Sequence, residues 1–146
     1  MTTLTLDPHS VDKTSAAARG PAATLAPRTG WTLTALVSAF LLFDASIKLL
    51  RLDMVAQSAR ELGYAPETMF ATGLVLLTCL IIHLIPRTAV LGAVLLTGYL
   101  GGAIATHVRV GNPLLSHTLF PIYIAAFIWG GLYLRDARVR GLIGPR

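Results

Sequence analysis

Two ionisable residues stand inside an apolar run near the start of the chain. Asp44 and Lys48 fall within residues 31–50, a stretch of mostly apolar or small side chains. Asp44 lies about 9 Å inside the end of that run at ~1.5 Å per residue, where inserting a charge costs ~2.5–3.5 kcal/mol. Lys48 shares its helical face, in the favourable acid-before-base order. The spacing predicts either a self-neutralising pair that joins helices or the polar floor of a ligand site.

A second polar group follows the third apolar run, and its best candidates are His107, Arg109 and His117. Together with Lys48 and Asp44 they could bind an anionic head group or a quinone carbonyl through charge-assisted hydrogen bonds. Ordinary solvation of a loop is the alternative for each residue taken singly.

Other kinds of chemistry are poorly supported by the residue types. We expect no metal or haem. The sequence places His83 near the opposite membrane face from His107 and His117, and it contains no Cys–His cluster. Cys79 is the only cysteine, which excludes an intrachain disulfide. The sequence shows no general base that could activate a serine, cysteine or lysine, so nucleophilic catalysis is not expected.

The elements that must position these residues are membrane spans. Apolar residues make up 54% of the 146 residues and charged residues 13%, about half the charged fraction of a soluble domain. The runs predict an all-α fold, a four-helix transmembrane bundle within residues 30–142. The four spans cover about residues 31–50, 67–85, 89–106 and 118–134.

The remaining segments are polar or amphipathic. Residues 1–29 lack apolar periodicity and predict a disordered tail, and residues 143–146 form a C-terminal tail. Between the first two spans, Leu52, Val55, Ala59 and Leu62 share one face, which predicts a short amphipathic helix on the membrane surface. Gly63 is placed to end that helix.

The distribution of basic residues predicts the orientation. The side with both termini and the Pro86-Arg87 turn carries eight of the 12 lysines and arginines, against four on the other side. The positive-inside rule therefore places both termini in the cytoplasm. Membrane lipids are the expected partners of these bases, and nothing indicates nucleic acid.

The third span is rich in small residues, and Gly98 and Gly102 form a GxxxG pair beside Gly101. Small residues let helices approach closely in lipid. We expect these glycines to pack inside the bundle, with homodimerisation as the alternative.

The block from Pro86 to Arg109, the closing stretch from Trp129 to Asp136 and the position of Lys48 resemble the DoxX-like family of bacterial membrane proteins. The resemblance spans roughly residues 34–142. It implies a four-helix bundle in a bacterial inner (plasma) membrane. The family name derives from a subunit of an archaeal thiosulfate:quinone oxidoreductase. Many relatives carry a glutamate early in the second span, where this chain reads Gly73-Leu74-Val75-Leu76.

Three functions follow from these observations. The first is a non-catalytic membrane accessory or scaffold protein without a cofactor, working with a protein partner or as a homo-oligomer. The second is a quinone-binding subunit of a membrane oxidoreductase, with quinone as the ligand. The third is a small-solute carrier.

Overall fold

The structure is a computed structural model that describes the backbone of residues 22–143 and the side chains of residues 27–141. Its helices are α1 (Ala22–Leu49), α2 (Asp53–Glu61), α3 (Thr68–Leu84), α4 (Ala89–Arg109), α5 (Phe120–Arg135) and α6 (Ala137–Ile143). A π-helical turn, Leu114–Thr118, precedes α5. Helices account for all regular structure in the described part of the chain, so the all-α prediction is confirmed.

Three segments are long and apolar enough to cross a membrane: Pro27–Leu49, Ala89–Arg109 and Leu114–Arg135. The fourth, α3, is an apolar helix of 17 residues, about 26 Å long at 1.5 Å per residue. A bilayer accommodates such a shorter helix by thinning locally. The predicted four-helix arrangement is therefore present, and α3 is its shortest span once the π-helical turn is counted with α5.

Two boundaries differ from the sequence-based expectation. Helix α1 begins at Ala22, so residues 22–29 are helical although we predicted a tail there. The rest of that tail, residues 1–21, lies outside the described residues, as do residues 144–146 at the other end. At the start of α5, the π-helical turn lengthens the fourth span before Pro121, which occupies the first turn of the α-helix, where its missing N–H removes no hydrogen bond.

The four long helices form a ring. Helix α1 packs against α3 and α5, and α4 also packs against α3 and α5, so α1 and α4 face each other across the bundle. Fully buried aliphatic side chains from all four fill the centre; they include Leu41, Leu76, Leu96 and Ile128. This core separates the two ends of the bundle.

The short polar breaks have clear local causes. Ile85 adopts an extended conformation because Pro86 disfavours a helical residue before it. The hydroxyl of Thr88 donates to the carbonyl of Ile82 at 2.8 Å and so satisfies one free acceptor at the end of α3. The α3–α4 hairpin therefore closes at the position that the Pro-Arg-Thr sequence predicts.

Helix α2 matches the predicted amphipathic helix. Val55 and Ala59 are buried, whereas Asp53, Gln57 and Arg60 are exposed, and α2 contacts α3. Gly63 has φ 73°, and the amides of Gly63 and Tyr64 bond to the carbonyls of Arg60 and Ala59. These two bonds form the Schellman ending that a glycine favours.

Close helix packing depends on different glycines from those we predicted. A Cβ added to Gly98, Gly101 or Gly102 would meet nothing within 4 Å among the described residues, so these three do not pack inside the bundle. In contrast, a Cβ on Gly92 would lie 2.3 Å from the His83 backbone, and one on Gly131 would lie 2.8 Å from Thr34 Oγ1. The helices therefore approach closely at the α3–α4 hairpin and between α1 and α5, and a Cβ on Gly73 would also lie 2.8 Å from Lys48 Cβ, between α3 and α1.

Candidate binding site

The predicted pair on α1 forms. Lys48 Nζ lies 2.5 Å from Asp44 Oδ2, and the exposed fractions of the two side chains are 16% and 30%. One helical turn separates the residues, so the helix itself holds the carboxylate beside the ammonium group. The pair is electrically neutral as a unit, which lowers the cost of placing it near the end of a membrane span.

The ammonium group also reaches across the bundle. Lys48 Nζ donates to the hydroxyl of Tyr99 on α4 at 3.1 Å, and Nζ lies 5.7 Å from the centre of the Tyr99 ring. Because α1 and α4 face each other diagonally, this bond ties together two helices that are not packing neighbours. Tyr99 was not among the residues that we predicted for the site.

A cavity of 390 Å³ opens beside this pair. We call it the Lys48 cavity. Its walls come from the end of α1, the α2–α3 loop, the start of α3 and the second half of α4. They comprise Lys48, Leu62, Tyr64, Met69, Thr72, Gly98, Tyr99, Gly102, Ala103, Thr106 and His107. Gly98 and Gly102 have open space above them, so the GxxxG pair leaves room in the wall of the cavity.

The α2–α3 loop lies over one side of this cavity and is fastened to α4. Tyr64 Oη and Thr106 Oγ1 are 2.9 Å apart. The guanidinium of Arg109 donates to the carbonyl of Leu62 and lies 5.4 Å from the centre of the Tyr64 ring. Arg109 therefore positions the loop and does not itself line the cavity.

The two predicted histidines occupy different positions. His107 lines the cavity, and its Nδ1 lies 2.8 Å from Asn112 Nδ2. Since an amide nitrogen is a donor, Nδ1 accepts and the ring carries its hydrogen on Nε2. His117 stands edge-on to His107, with ring centres 5.7 Å apart, but it is exposed and outside the cavity wall.

Of the five predicted site residues, the structure brings Lys48 and His107 into the cavity wall and places Asp44 directly behind Lys48. Arg109 holds the α2–α3 loop through the carbonyl of Leu62, and His117 packs edge-on against His107. Sequence reasoning missed Tyr99, Tyr64 and Thr106. The available signal was a tyrosine hydroxyl in the middle of a span, because a buried hydroxyl group requires a hydrogen-bond partner.

No group of three His, Cys, Asp or Glu side chains able to hold a metal ion is present in the described part of the chain. The third histidine of the described residues, His83, is buried at the opposite end, where its Nδ1 donates to the carbonyl of Ala89 at 3.0 Å.

Comparison with known proteins agrees with the helical architecture. The DoxX-like family model matches residues 32–131, which include the second half of α1, all of α3 and α4, and most of α5. The chain belongs to the DoxX-like family. Searches among curated proteins and among solved structures gave no match.

The candidate site of this DoxX-like protein lies within the residues that the family model matches. All the residues of the Lys48 cavity, and Asp44 behind it, fall between residues 32 and 131. The first turns of α3 contribute Met69 and Thr72 to the cavity wall. Asp44, the acid that pairs with Lys48, belongs to α1.

Proposed function

We propose that this protein is a non-catalytic membrane accessory protein that binds a quinone-class molecule in the Lys48 cavity. The observation that carries the proposal is the bond between Lys48 Nζ and Tyr99 Oη at the wall of an otherwise largely apolar cavity. A volume of 390 Å³ falls at the lower end of the ~300–1,000 Å³ range of small-molecule sites.

The cavity residues supply donors for a ligand with carbonyl oxygens. An ammonium group has three N–H donors, and Lys48 uses two of them on Asp44 and Tyr99. The Tyr99 hydroxyl accepts from Lys48, and no described residue accepts the hydrogen of that hydroxyl. One ammonium hydrogen and one hydroxyl hydrogen are therefore available to an acceptor.

The charge of the site favours a neutral ligand over an anion. Asp44 lies 2.5 Å from Lys48 and compensates its charge. An anion in the cavity would face the carboxylate as well as the ammonium group, whereas a quinone carbonyl needs only the hydrogen-bond donors. Met69, Leu62 and Ala103 provide apolar surface for a ring.

We propose no reaction for this chain alone. Reduction of a quinone requires two electrons, and the side chains of the cavity offer hydrogen bonds and protons but no electrons. If a partner protein supplies the electrons, the present protein serves as the quinone-binding subunit of an oxidoreductase. In either case the role of the cavity is to hold and orient the ring.

The packing of the bundle argues against a solute carrier. The centre is filled by side chains that are at most 2% exposed, including Leu41, Leu80 and Ile128. Access from the other end would require this core to separate. We therefore favour a binding site that is open at one end of the bundle.

The test is a titration of the full chain in lipid nanodiscs with a short-tailed ubiquinone analogue. Isothermal titration calorimetry measures the dissociation constant. Gly102→Leu places an isobutyl group in the cavity, and we expect it to weaken binding at least tenfold. Gly101→Leu is the matched control, since Gly101 is exposed with open space around it but lies outside the cavity wall. We expect a change under twofold for this control. Absence of binding to the unmodified protein, or equal binding by the two variants, would contradict the proposal.

A further inference from the structure

A second polar site lies at the opposite end of the bundle, around the last residue of α5. The guanidinium carbon of Arg135 lies 4.6 Å from the centre of the Trp31 ring, so the guanidinium stacks on the indole. Stacking covers the flat face of the guanidinium. Its N–H groups lie in the plane of the guanidinium, around its edge, and make no bond to the indole. Those groups require acceptors elsewhere.

Two of these N–H groups are buried without an acceptor. Arg135 Nε and Nη2 are both inaccessible to solvent, and neither has a hydrogen-bond partner among residues 27–141. They form the side-on edge of the guanidinium, where two parallel hydrogens fit the two oxygens of a carboxylate or phosphate. Burying such donors unpaired is costly.

The nearby acid is already engaged. Asp136 Oδ1 accepts from the backbone amide and Nε of Arg138 at 2.9 and 3.2 Å, and Oδ2 accepts from Nη2 of Arg138 at 2.9 Å. These bonds occupy both carboxylate oxygens. Asp136 therefore satisfies Arg138 and leaves the side-on edge of Arg135 unmatched.

A cavity of 160 Å³, which we call the Arg135 cavity, is lined by Trp31, Pro86, Arg135, Asp136 and Arg138 among others. Its two arginines and one aspartate give it a net positive charge. Trp31 is 53% exposed, as expected for an aromatic residue at the level of lipid head groups. The cavity thus places a cation and an interfacial indole at the membrane surface, next to an arginine whose buried donors lack acceptors.

We propose that the Arg135 cavity binds a phosphate group, and that an anionic phospholipid supplies it. On binding, the Arg135 side chain turns its buried edge toward the cavity, so that two phosphate oxygens accept from Nε and Nη2, and the glycerol backbone of the lipid lies against Trp31. The exposed Arg28, Arg87 and Arg140 at this end of the bundle favour an anionic over a zwitterionic head group. This site is separate from the Lys48 cavity and does not depend on the function proposed for it.

The test measures lipid binding to the full chain in detergent by native mass spectrometry, with phosphatidylglycerol and phosphatidylcholine as the probes. Arg135→Lys keeps the charge but removes the side-on edge, and we expect about tenfold weaker binding of phosphatidylglycerol. Arg87→Gln is the matched control, because it removes one exposed charge from the same end, and we expect less than a twofold change. Equal effects of the two substitutions would overturn the proposal.

A second measurement does not depend on altering Arg135. The chain has two tryptophans, so Trp129→Phe leaves Trp31 as the only indole. We expect phosphatidylglycerol to shift the emission of Trp31 and phosphatidylcholine to leave it nearly unchanged; no shift with phosphatidylglycerol would overturn the proposal. Competition with inorganic phosphate distinguishes a lipid phosphate from free phosphate as the ligand. If millimolar phosphate does not displace the lipid, the lipid is the source, whereas displacement would overturn the lipid assignment and identify a site for free phosphate.

Discussion

At the scale of single residues, the proposed quinone site depends on the hydrogen bonds of one lysine. Lys48 joins a carboxylate from its own helix to a hydroxyl from the diagonal helix. Asp44 fixes the charge of the site, and Tyr99 adds a donor that a ligand can use. Each of these roles can be tested by a substitution that changes few atoms.

Replacing Asp44 by asparagine tests the role of charge. Asp44→Asn leaves Lys48 as an uncompensated cation, so we expect the ligand preference to move from a neutral quinone toward an anionic amphiphile. The measurement is the ratio of the dissociation constants for a ubiquinone analogue and for decanoate. An unchanged ratio would mean that the Asp44 charge does not decide selectivity.

Replacing Tyr99 by phenylalanine removes one hydroxyl and keeps the ring. A single hydrogen bond contributes about 1 kcal/mol, so we expect Tyr99→Phe to weaken quinone binding about fivefold. Tyr123→Phe is the control, because Tyr123 is an exposed tyrosine of α5 outside the cavity wall. Calorimetry in nanodiscs measures both, and comparable losses would remove Tyr99 from the site.

At the scale of helices, two contacts at the same end of the bundle join α3 to α4 and α6 to the α3–α4 turn. Gly92 lets α4 lie directly against the backbone of His83 on α3. The short α6 is attached to the α3–α4 turn, because Arg138 Nη2 donates to the carbonyl of Pro86 at 2.9 Å. The first contact is steric, and the second is electrostatic.

The steric contact predicts a large effect from one methyl group. Gly92→Ala places a Cβ 2.3 Å from backbone atoms of His83, and relieving such overpacking costs about 1–3 kcal/mol. Gly101→Ala adds the same group in open space, so we expect no loss of stability there. Thermal unfolding in detergent compares them. A similar melting temperature for the two variants would contradict the close approach of α3 and α4.

The ion pair that Arg138 also forms with Asp136 predicts a pH dependence. Hydrogen bonds from Arg138 hold the pKa of the Asp136 carboxyl below its ordinary value. A lowered pKa in the folded state means that Asp136 contributes its full stabilisation above its unfolded pKa of ~3.9. This contribution is lost as the pH falls through the lower pKa of the folded state.

We therefore expect the stability difference between the unmodified protein and Asp136→Asn to be constant near neutral pH and to shrink below about pH 4. Asparagine still caps a helix, so the variant removes mainly the charge. Amide hydrogen exchange in α6 measures the effect. A difference that persists at low pH would show that the charge of Asp136 is not responsible.

At the scale of the whole molecule, polar groups are divided between two ends that a filled core separates. One end carries the Lys48 cavity and the α2–α3 loop, and the other carries the α3–α4 turn and the Arg135 cavity. The excess of basic residues at the second end predicts that it faces the cytoplasm.

Cysteine labelling tests that orientation. Cys79 is buried and can be replaced by alanine to give a background without thiols. Ser58→Cys marks the exposed face of α2, and Ala137→Cys marks the other end. In spheroplasts, we expect an impermeant maleimide to label the first variant at once and the second only after permeabilisation. The reverse pattern would invert the topology.

The sequence by itself determined the spans, the α3–α4 turn, the amphipathic α2 and its Gly63 ending. Each depends on local information: a run of apolar residues, a proline or a glycine at a fixed position. It also placed Lys48 and His107 at one end, because alternating crossings fix which ends of the helices meet.

Only the tertiary structure decided which side chains meet across the bundle. The contact of Lys48 with Tyr99, the open space at Gly98 and Gly102 and the unpaired edge of Arg135 all depend on how each helix is rotated about its axis. Membrane helices are apolar on every face, so their sequences carry little periodic signal of that rotation. Packing sets the rotation, at close contacts such as those of Gly92 and Gly131.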